Sequence, residues 1–291
     1  MALIEYQFRS QALDMEQTVF IVLPESKRDT EVPSFHPSRL SSPCRFPTVY
    51  LLHGTSQDES EWLRFTSVER YANQQGLALV TPSGQLSAYA DMAFGEKWMT
   101  YIASELPNKL ERRFPLSASR EDRFVCGLSM GGYGAAKIGL RYPERYAAIG
   151  ALSNGNHAYK RVLDRAPTRS DAMPSALVDE RHLLCWGLNR DQTPVGTQED
   201  LYALALENLK GGHALPSLFH MVGTSDRNLL SARHMCRFFR SLPGDPYRYT
   251  YFEEELGNHT WKEWDRWIEI FLQWLPRKIE FFWKLLHYSA K

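Results

Sequence analysis

A mostly parallel β-sheet flanked by helices, the α/β class, is what this 291-residue sequence predicts, on three observations. Short apolar runs recur along the chain, among them residues 48–52, 77–81, 124–128 and 218–222, and stretches with helical periodicity lie between them. Strand and helix alternating in this way build a parallel sheet covered by helices. One run, Phe124-Val125-Cys126-Gly127-Leu128, also feeds directly into Ser129-Met130-Gly131-Gly132 and a helix-forming segment, which makes a sharp strand-to-helix junction.

Taken in order, residues 15–23 read as a strand, and the Pro- and Ser-rich stretch 24–47 reads as a surface loop. The strand 48–52 ends in His53-Gly54, residues 59–75 have helical character, and 77–81 make another short strand. A helix over 98–114 precedes the junction strand, a helix over 131–141 follows it, and 146–152 supply the next strand. The interval 155–216 contains helical patterns at 176–186 and 199–210 but no clear strand. Thr197 and Asp200 have capping-box-like spacing for the second helix, and Gly211-Gly212 would end it. An excursion at the carboxyl side of a sheet often covers a ligand site, so 155–216 is a candidate lid, with an ordinary packing insertion as the alternative. A last helix, 261–275, carries Trp264, Trp267, Ile268, Phe271 and Leu275 on one face until Pro276 breaks it. The apolar extension 277–291 is expected to pack on the fold or form an oligomer contact, and a membrane-surface role is less favoured because it is short and weakly basic.

The junction is a Gly-x-Ser-x-Gly pattern, Gly127-Leu128-Ser129-Met130-Gly131, the nucleophile elbow of the α/β-hydrolase fold. Small residues at Gly127 and Gly131 let strand and helix approach closely enough to hold Ser129 in a strained turn with its hydroxyl presented. The pattern alone is modest, because Ser129 could be an ordinary turn residue. Two later segments supply partners in the chain order Ser, Asp, His that this fold uses. Asp226 follows the strand end Val222-Gly223, and His259 follows Gly257 after another β-like run. Asp245 is the rival acid, but Pro243-Gly244-Asp245-Pro246 reads as a tight turn. Of the nine histidines, His36 and His287 lie near the chain extremities and His182, His213 and His234 lack a strand-end glycine, whereas His259 follows a β-like run and a glycine and precedes an amphipathic helix. Upstream, the loop after strand 48–52 should give one backbone N–H to an oxyanion hole and the residue after the serine another, which makes Thr55 and Met130 the candidates and Gly54 a supporting glycine. His53 is expected to shape that loop through hydrogen bonds rather than to move protons. Trp62, Tyr89, Met92 and Asn154 lie near these loops in sequence and are candidates for lining an acyl or alcohol pocket, with packing as the alternative for each.

Composition narrows the function classes. A chain of this length forms a single core in α/β folds, so one domain over 1–291 is expected. Lys plus Arg and Asp plus Glu balance at 34 each, which argues against a nucleic-acid surface or a polybasic membrane anchor and points to a small-molecule substrate. Cys44, Cys126, Cys185 and Cys236 show no paired or metal-ligand spacing, so no metal is expected. The N-terminus shows no secretory signal and no stretch approaches a membrane span, which together favour a cytoplasmic location, although a mature secreted chain would look similar.

With these residues assembled, the chain resembles the esterase D and S-formylglutathione hydrolase superfamily, most closely its tributyrin-esterase or acetylesterase branch. The resemblance rests on Leu51-Leu52-His53-Gly54, Asp91-Met92-Ala93-Phe94-Gly95 leading into Tyr101 to Pro107, Gly127 to Gly134, Gly223-Thr224-Ser225-Asp226, and Gly257-Asn258-His259-Thr260-Trp261. It implies hydrolysis of short-chain acyl esters by Ser129, Asp226 and His259, with no cofactor. Departures are the loop 24–47 and the segment after Pro276, which leave the pocket rim and a homo-oligomer open. Alternatives are an S-formylglutathione thioesterase, a feruloyl or acetyl-xylan esterase, acyl transfer to an alcohol, or a non-catalytic binding protein on the same fold.

Overall fold

The computed structural model of the chain describes residues 1–25, 45–158, 175–188 and 192–276. The expected loop 24–47 falls mostly outside these residues, the extension 277–291 wholly, and the candidate lid in part.

Eight strands form one sheet in the order β1-β2-β4-β3-β5-β6-β7-β8. They are β1 (Ala2–Arg9), β2 (Glu16–Leu23), β3 (Thr48–Leu52), β4 (Ala78–Pro82), β5 (Arg123–Leu128), β6 (Ala148–Leu152), β7 (Ser217–Gly223) and β8 (Thr250–Glu254). The β1–β2 and β2–β4 pairings are antiparallel, and every pairing from β4 across to β8 is parallel. Strand β1 has no counterpart among the sequence expectations. Its alternating exposure along Ala-Leu-Ile-Glu-Tyr-Gln-Phe-Arg is that of an edge strand, a weaker signal than the continuous apolar runs of the buried parallel strands.

Nine α-helical segments cover the described parts of the sheet: α1 (Glu61–Phe65), α2 (Val68–Gln74), α3 (Trp98–Thr100), α4 (Leu106–Arg113), α5 (Met130–Arg141), α6 (Ser175–Trp186), α7 (Leu201–Gly211), α8 (Leu229–Ser241) and α9 (Trp261–Trp274). The single helix expected over 59–75 is two, interrupted at Thr66-Ser67. There the Thr66 hydroxyl bonds back to the Trp62 carbonyl, and Asp265 accepts the Ser67 N–H at 2.7 Å. The helix expected over 98–114 contains a π-helical stretch at Tyr101–Glu105 between α3 and α4. Helix α7 starts two residues later than expected because Asp200, not Thr197, is its cap, accepting the Tyr202 N–H at 2.9 Å. Gly212, at φ 65°, ends it as anticipated.

The core splits into two layers because successive side chains on a strand face opposite ways. Tyr50 and Leu52 join one layer with Trp98, Tyr101, Tyr133 and Phe239, whereas Val49 and Leu51 join the other with Trp62, Phe219, Trp264, Trp267 and Phe271. The second layer explains why α9 carries its aromatic stripe, since burial of each such side chain contributes roughly 1.5–3 kcal/mol. The consequence for function is that β5, β7 and β8 run parallel and end at the same edge of the sheet.

Candidate active site

Ser129 sits between β5 and α5 with φ 54° and ψ −118°, a region that costs a side-chain-bearing residue about 1–3 kcal/mol. The surroundings enforce it. Its N–H donates to the Leu152 carbonyl at 2.8 Å, and its carbonyl accepts the Tyr133 N–H at 3.1 Å. A Cβ at Gly127 would lie 2.3 Å from the Gly131 carbonyl oxygen, and one at Gly131 would lie 2.3 Å from the Leu52 carbonyl oxygen. Both positions therefore require glycine for close backbone approach, as the elbow pattern implies.

The loops after β7 and β8 are joined to each other. Thr224 N–H donates to the Glu254 carbonyl at 2.9 Å, and Ser225 N–H donates to the Gly257 carbonyl at 2.8 Å. A Cβ at Gly223 would meet the Gly257 carbonyl oxygen at 2.1 Å, so the glycine ending β7 is what lets the loops close. This brings Asp226 and His259 together. His259 Nδ1 lies 2.9 Å from Asp226 Oδ2 and 3.1 Å from Oδ1, and His259 Nε2 lies 2.9 Å from Ser129 Oγ. With a carboxylate facing Nδ1, that nitrogen carries the proton and Nε2 is left to accept from the serine hydroxyl. The Asp226 side chain is fully buried and that of His259 is 11% exposed, so the pair is shielded from water. Asp245 takes no part, because it accepts the Tyr249 N–H in an exposed turn.

Thr55 and Met130 stand on neighbouring chains at the same sheet edge, since β3 pairs with β5 in the register Leu52↔Gly127 and each lies three residues further on. The N–H of Gly54 is already committed to Gln57 Oε1 at 2.6 Å. His53 is buried with both ring nitrogens used: Nε2 accepts the Gly84 N–H at 2.8 Å, and Nδ1 donates to the Gly54 carbonyl at 2.7 Å. Burial lowers its pKa. With neither nitrogen open to substrate, its role is to shape the loop.

The pocket-lining expectation fails for three of its four residues. Trp62 is fully buried, donating to the Leu52 carbonyl and packing edge-on to Trp261. Tyr89 is fully buried against Gly84 and Gly134, with its hydroxyl on the His53 carbonyl at 2.8 Å. Asn154 is fully buried against Gly132. All three pack behind the loops near Ser129 and His53, and of the four only Met92 is partly exposed. The described part of 155–216 is fastened to its neighbours: Ala93 and Phe94 donate backbone N–H groups to the Cys185 and Leu184 carbonyls. Among the described residues no group of three or more His, Cys, Asp or Glu side chains could hold a metal ion, and no helix is long and apolar enough to cross a membrane.

Sequence reasoning missed Gln57, Ser153, Asn228 and Trp264 near this site. Asn228 donates its N–H to Asp226 Oδ1 at 2.7 Å, and the Trp264 ring stands edge-on to His259 at 4.9 Å. The spacing His259-x-Trp261-x-x-Trp264 was the available signal, but a helical apolar stripe accounts for it equally well.

An eight-stranded sheet with a strained serine at its elbow, and an aspartate and a histidine joined to it from the next strand ends, defines an α/β-hydrolase of the serine-hydrolase type. The profile of the esterase family described as "Putative esterase" matches residues 10–276, and the chain belongs to that family. It is a carboxylic ester hydrolase. It is similar to an acetyl esterase of Caldicellulosiruptor saccharolyticus, 26% identical over 95% of this chain and 99% of the relative. Among solved structures it is similar to the fluorophosphonate-binding serine hydrolase F of Staphylococcus aureus, with 28% identity, a TM-score of 0.79, and coverage of 95% of this chain and 99% of the other. It is also similar to the S-formylglutathione hydrolase of Staphylococcus aureus, with 30% identity, a TM-score of 0.74, and coverage of 94% and 98%.

Proposed function

We propose that the protein hydrolyses short-chain acyl esters through an acyl-enzyme on Ser129. The observation that carries this reading is the unbroken hydrogen-bonded series Ser129 Oγ, His259 Nε2, His259 Nδ1 and Asp226 Oδ2, with both links at 2.9 Å. His259 takes the Ser129 proton as the oxygen attacks the acyl carbon, and the buried Asp226 holds the ring and stabilises the imidazolium. The carbonyl oxygen, now anionic, is held by the backbone N–H groups of Thr55 and Met130, each such donor being worth on the order of 100- to 1,000-fold in rate. His259 returns its proton to the leaving alcohol. Water then repeats the sequence on the acyl-enzyme, releasing the acid and restoring the serine.

The experiment is turnover of p-nitrophenyl acetate and labelling by a fluorophosphonate probe, in wild type and Ser129→Ala. Both should fall to background in the variant while its melting temperature is kept, and retained turnover overturns the reading. An acyl series from acetate to decanoate reads the short-chain preference, with a rise towards longer chains opposing it. Similarity to the S-formylglutathione hydrolase favours a second reading, thioester cleavage by the same residues with a thiol leaving in place of an alcohol. Rates on S-formylglutathione and phenyl acetate measured side by side decide between them.

A further inference from the structure

We infer that Ser153 and Trp264 are positioning residues for the acid and base, a proposal that rests on the Ser129–His259–Asp226 reading. Hydrogen bonds at Nδ1 and Nε2 fix two points of the His259 ring but leave it free to rock about the line that joins them. The Asp226 oxygens, at 2.9 and 3.1 Å, hold Nδ1 in place but stand at one end of that line, where they have little leverage on the plane of the ring. What limits the rocking is Trp264, whose ring meets the imidazole at 88° with centroids 4.9 Å apart. Trp264 is in turn held by a single directional bond, from its indole Nε1–H to Ser153 Oγ at 2.8 Å.

Ser153 is an unusual residue to find there. It follows β6 directly, is completely buried, and has φ 54°, a conformation uncommon for a residue other than glycine, Asn or Asp. Its backbone is tied at both polar groups: its N–H donates to the Met221 carbonyl at 2.8 Å, and its carbonyl accepts Asn228 Nδ2 at 2.8 Å. Asn228 then donates its own N–H to Asp226 Oδ1 at 2.7 Å. One strained residue thus anchors the acid through Asn228 and the base through Trp264, and the path closes through the His259–Asp226 bond. Every member apart from His259 is at most 6% exposed, so water competes for few of these bonds.

A tryptophan in a core layer can serve packing alone, and the test separates the two roles. Trp264→Phe removes the indole donor while keeping an aromatic ring, and Ser153→Ala removes the acceptor. Melting temperature, kcat and KM on p-nitrophenyl acetate are measured for both and for the double variant, with kcat expressed per site titrated to completion by a fluorophosphonate. In each single variant kcat should fall about 10-fold with KM unchanged, less than the roughly 100-fold that can follow a 1 Å misplacement. The double variant should be no worse than the poorer single one, because both delete the same bond. Wild-type kcat per titrated site in both single variants overturns the inference, as do losses that multiply in the double variant. A wild-type protein that neither labels nor hydrolyses the ester removes the underlying reading itself, a result distinct from either of these.

Discussion

Lys137 and Glu199 form an ion pair of 2.5 Å in which the lysine, on the elbow helix α5, is wholly buried and the carboxylate comes from the interval between β6 and β7. The same Glu199 oxygen lies 3.0 Å from the Tyr133 hydroxyl and 3.0 Å from Trp186 Nε1, and Lys137 also reaches the Ala88 carbonyl at 3.0 Å. Burial lowers the pKa of Lys137, and Glu199 opposes that shift. The pair therefore pins the insertion, through Trp186 at the end of α6 and the turn before α7, onto the helix that follows Ser129.

Glu199→Ala should be among the most destabilising single changes outside the elbow. It strands a buried ammonium, a loss of about 3–5 kcal/mol where one partner of a buried pair is removed. Adding Lys137→Met to Glu199→Ala removes the stranded charge and should recover part of the loss. Urea denaturation of the single and double variants measures both. A double variant less stable than Glu199→Ala alone would contradict this account of the pair.

Gly127→Ala should abolish the fold of the elbow rather than slow one chemical step. The added carbon would sit 2.3 Å from the Gly131 carbonyl oxygen and 2.9 Å from that of Leu52, and both are backbone atoms of packed elements. Overpacking of a rigid site costs typically 1–3 kcal/mol and occasionally more, and contacts this short place it at the upper end. The checks are soluble yield and melting temperature together with ester turnover, all of which should fall.

How much of this was legible in the chain follows from where each signal lies. Gly127, Ser129 and Gly131 are adjacent in sequence, so the elbow can be read directly, and Gly223 and Gly257 flag strand ends because a close crossing there excludes a side chain. The parallel strands were visible because burial on both faces makes them continuous apolar runs. Edge strand β1 lacks such a run. The roles of Trp62, Tyr89 and Asn154 were not legible, because proximity in sequence to a catalytic loop does not say whether a side chain faces the cleft or the layer behind it. Ser153 was invisible for a related reason: its strained backbone and its bond to Trp264, 111 residues away, exist only in the folded chain.

Asp226→Asn should leave the elbow intact and cut kcat by on the order of 10,000-fold with little change in KM. An amide cannot stabilise the imidazolium, and its NH2 group favours the His259 tautomer whose Nε2 carries the proton and cannot accept one from Ser129. Fluorophosphonate labelling should slow in parallel, since it depends on the same activated hydroxyl. The backbone N–H of Asn228 can still donate to the remaining amide oxygen, so the melting temperature should change little. A large drop in melting temperature would place the weight of Asp226 on folding.

His220 should give the protein a stability that falls on the acid side of neutrality. It lies on β7, between β6 and β8, and is fully buried, with Nε2–H donating to the Asn154 carbonyl at 2.9 Å and Nδ1 accepting from the Tyr249 hydroxyl at 2.6 Å. Burial pushes its pKa from 6.5 down to about 4. The folded state therefore keeps the ring neutral over a range in which the unfolded chain binds a proton, so acid favours unfolding. The contribution is fully present above pH 6.5 and is lost progressively as pH falls towards 4, amounting to about 3 kcal/mol over that window. In His220→Gln the residue no longer titrates while an amide can still bond in its place. Its stability should be lower than wild type at pH 7, and the gap should narrow between pH 6.5 and 4, as read by urea denaturation at several pH values. Parallel pH curves for the two proteins would show that His220 does not carry this dependence.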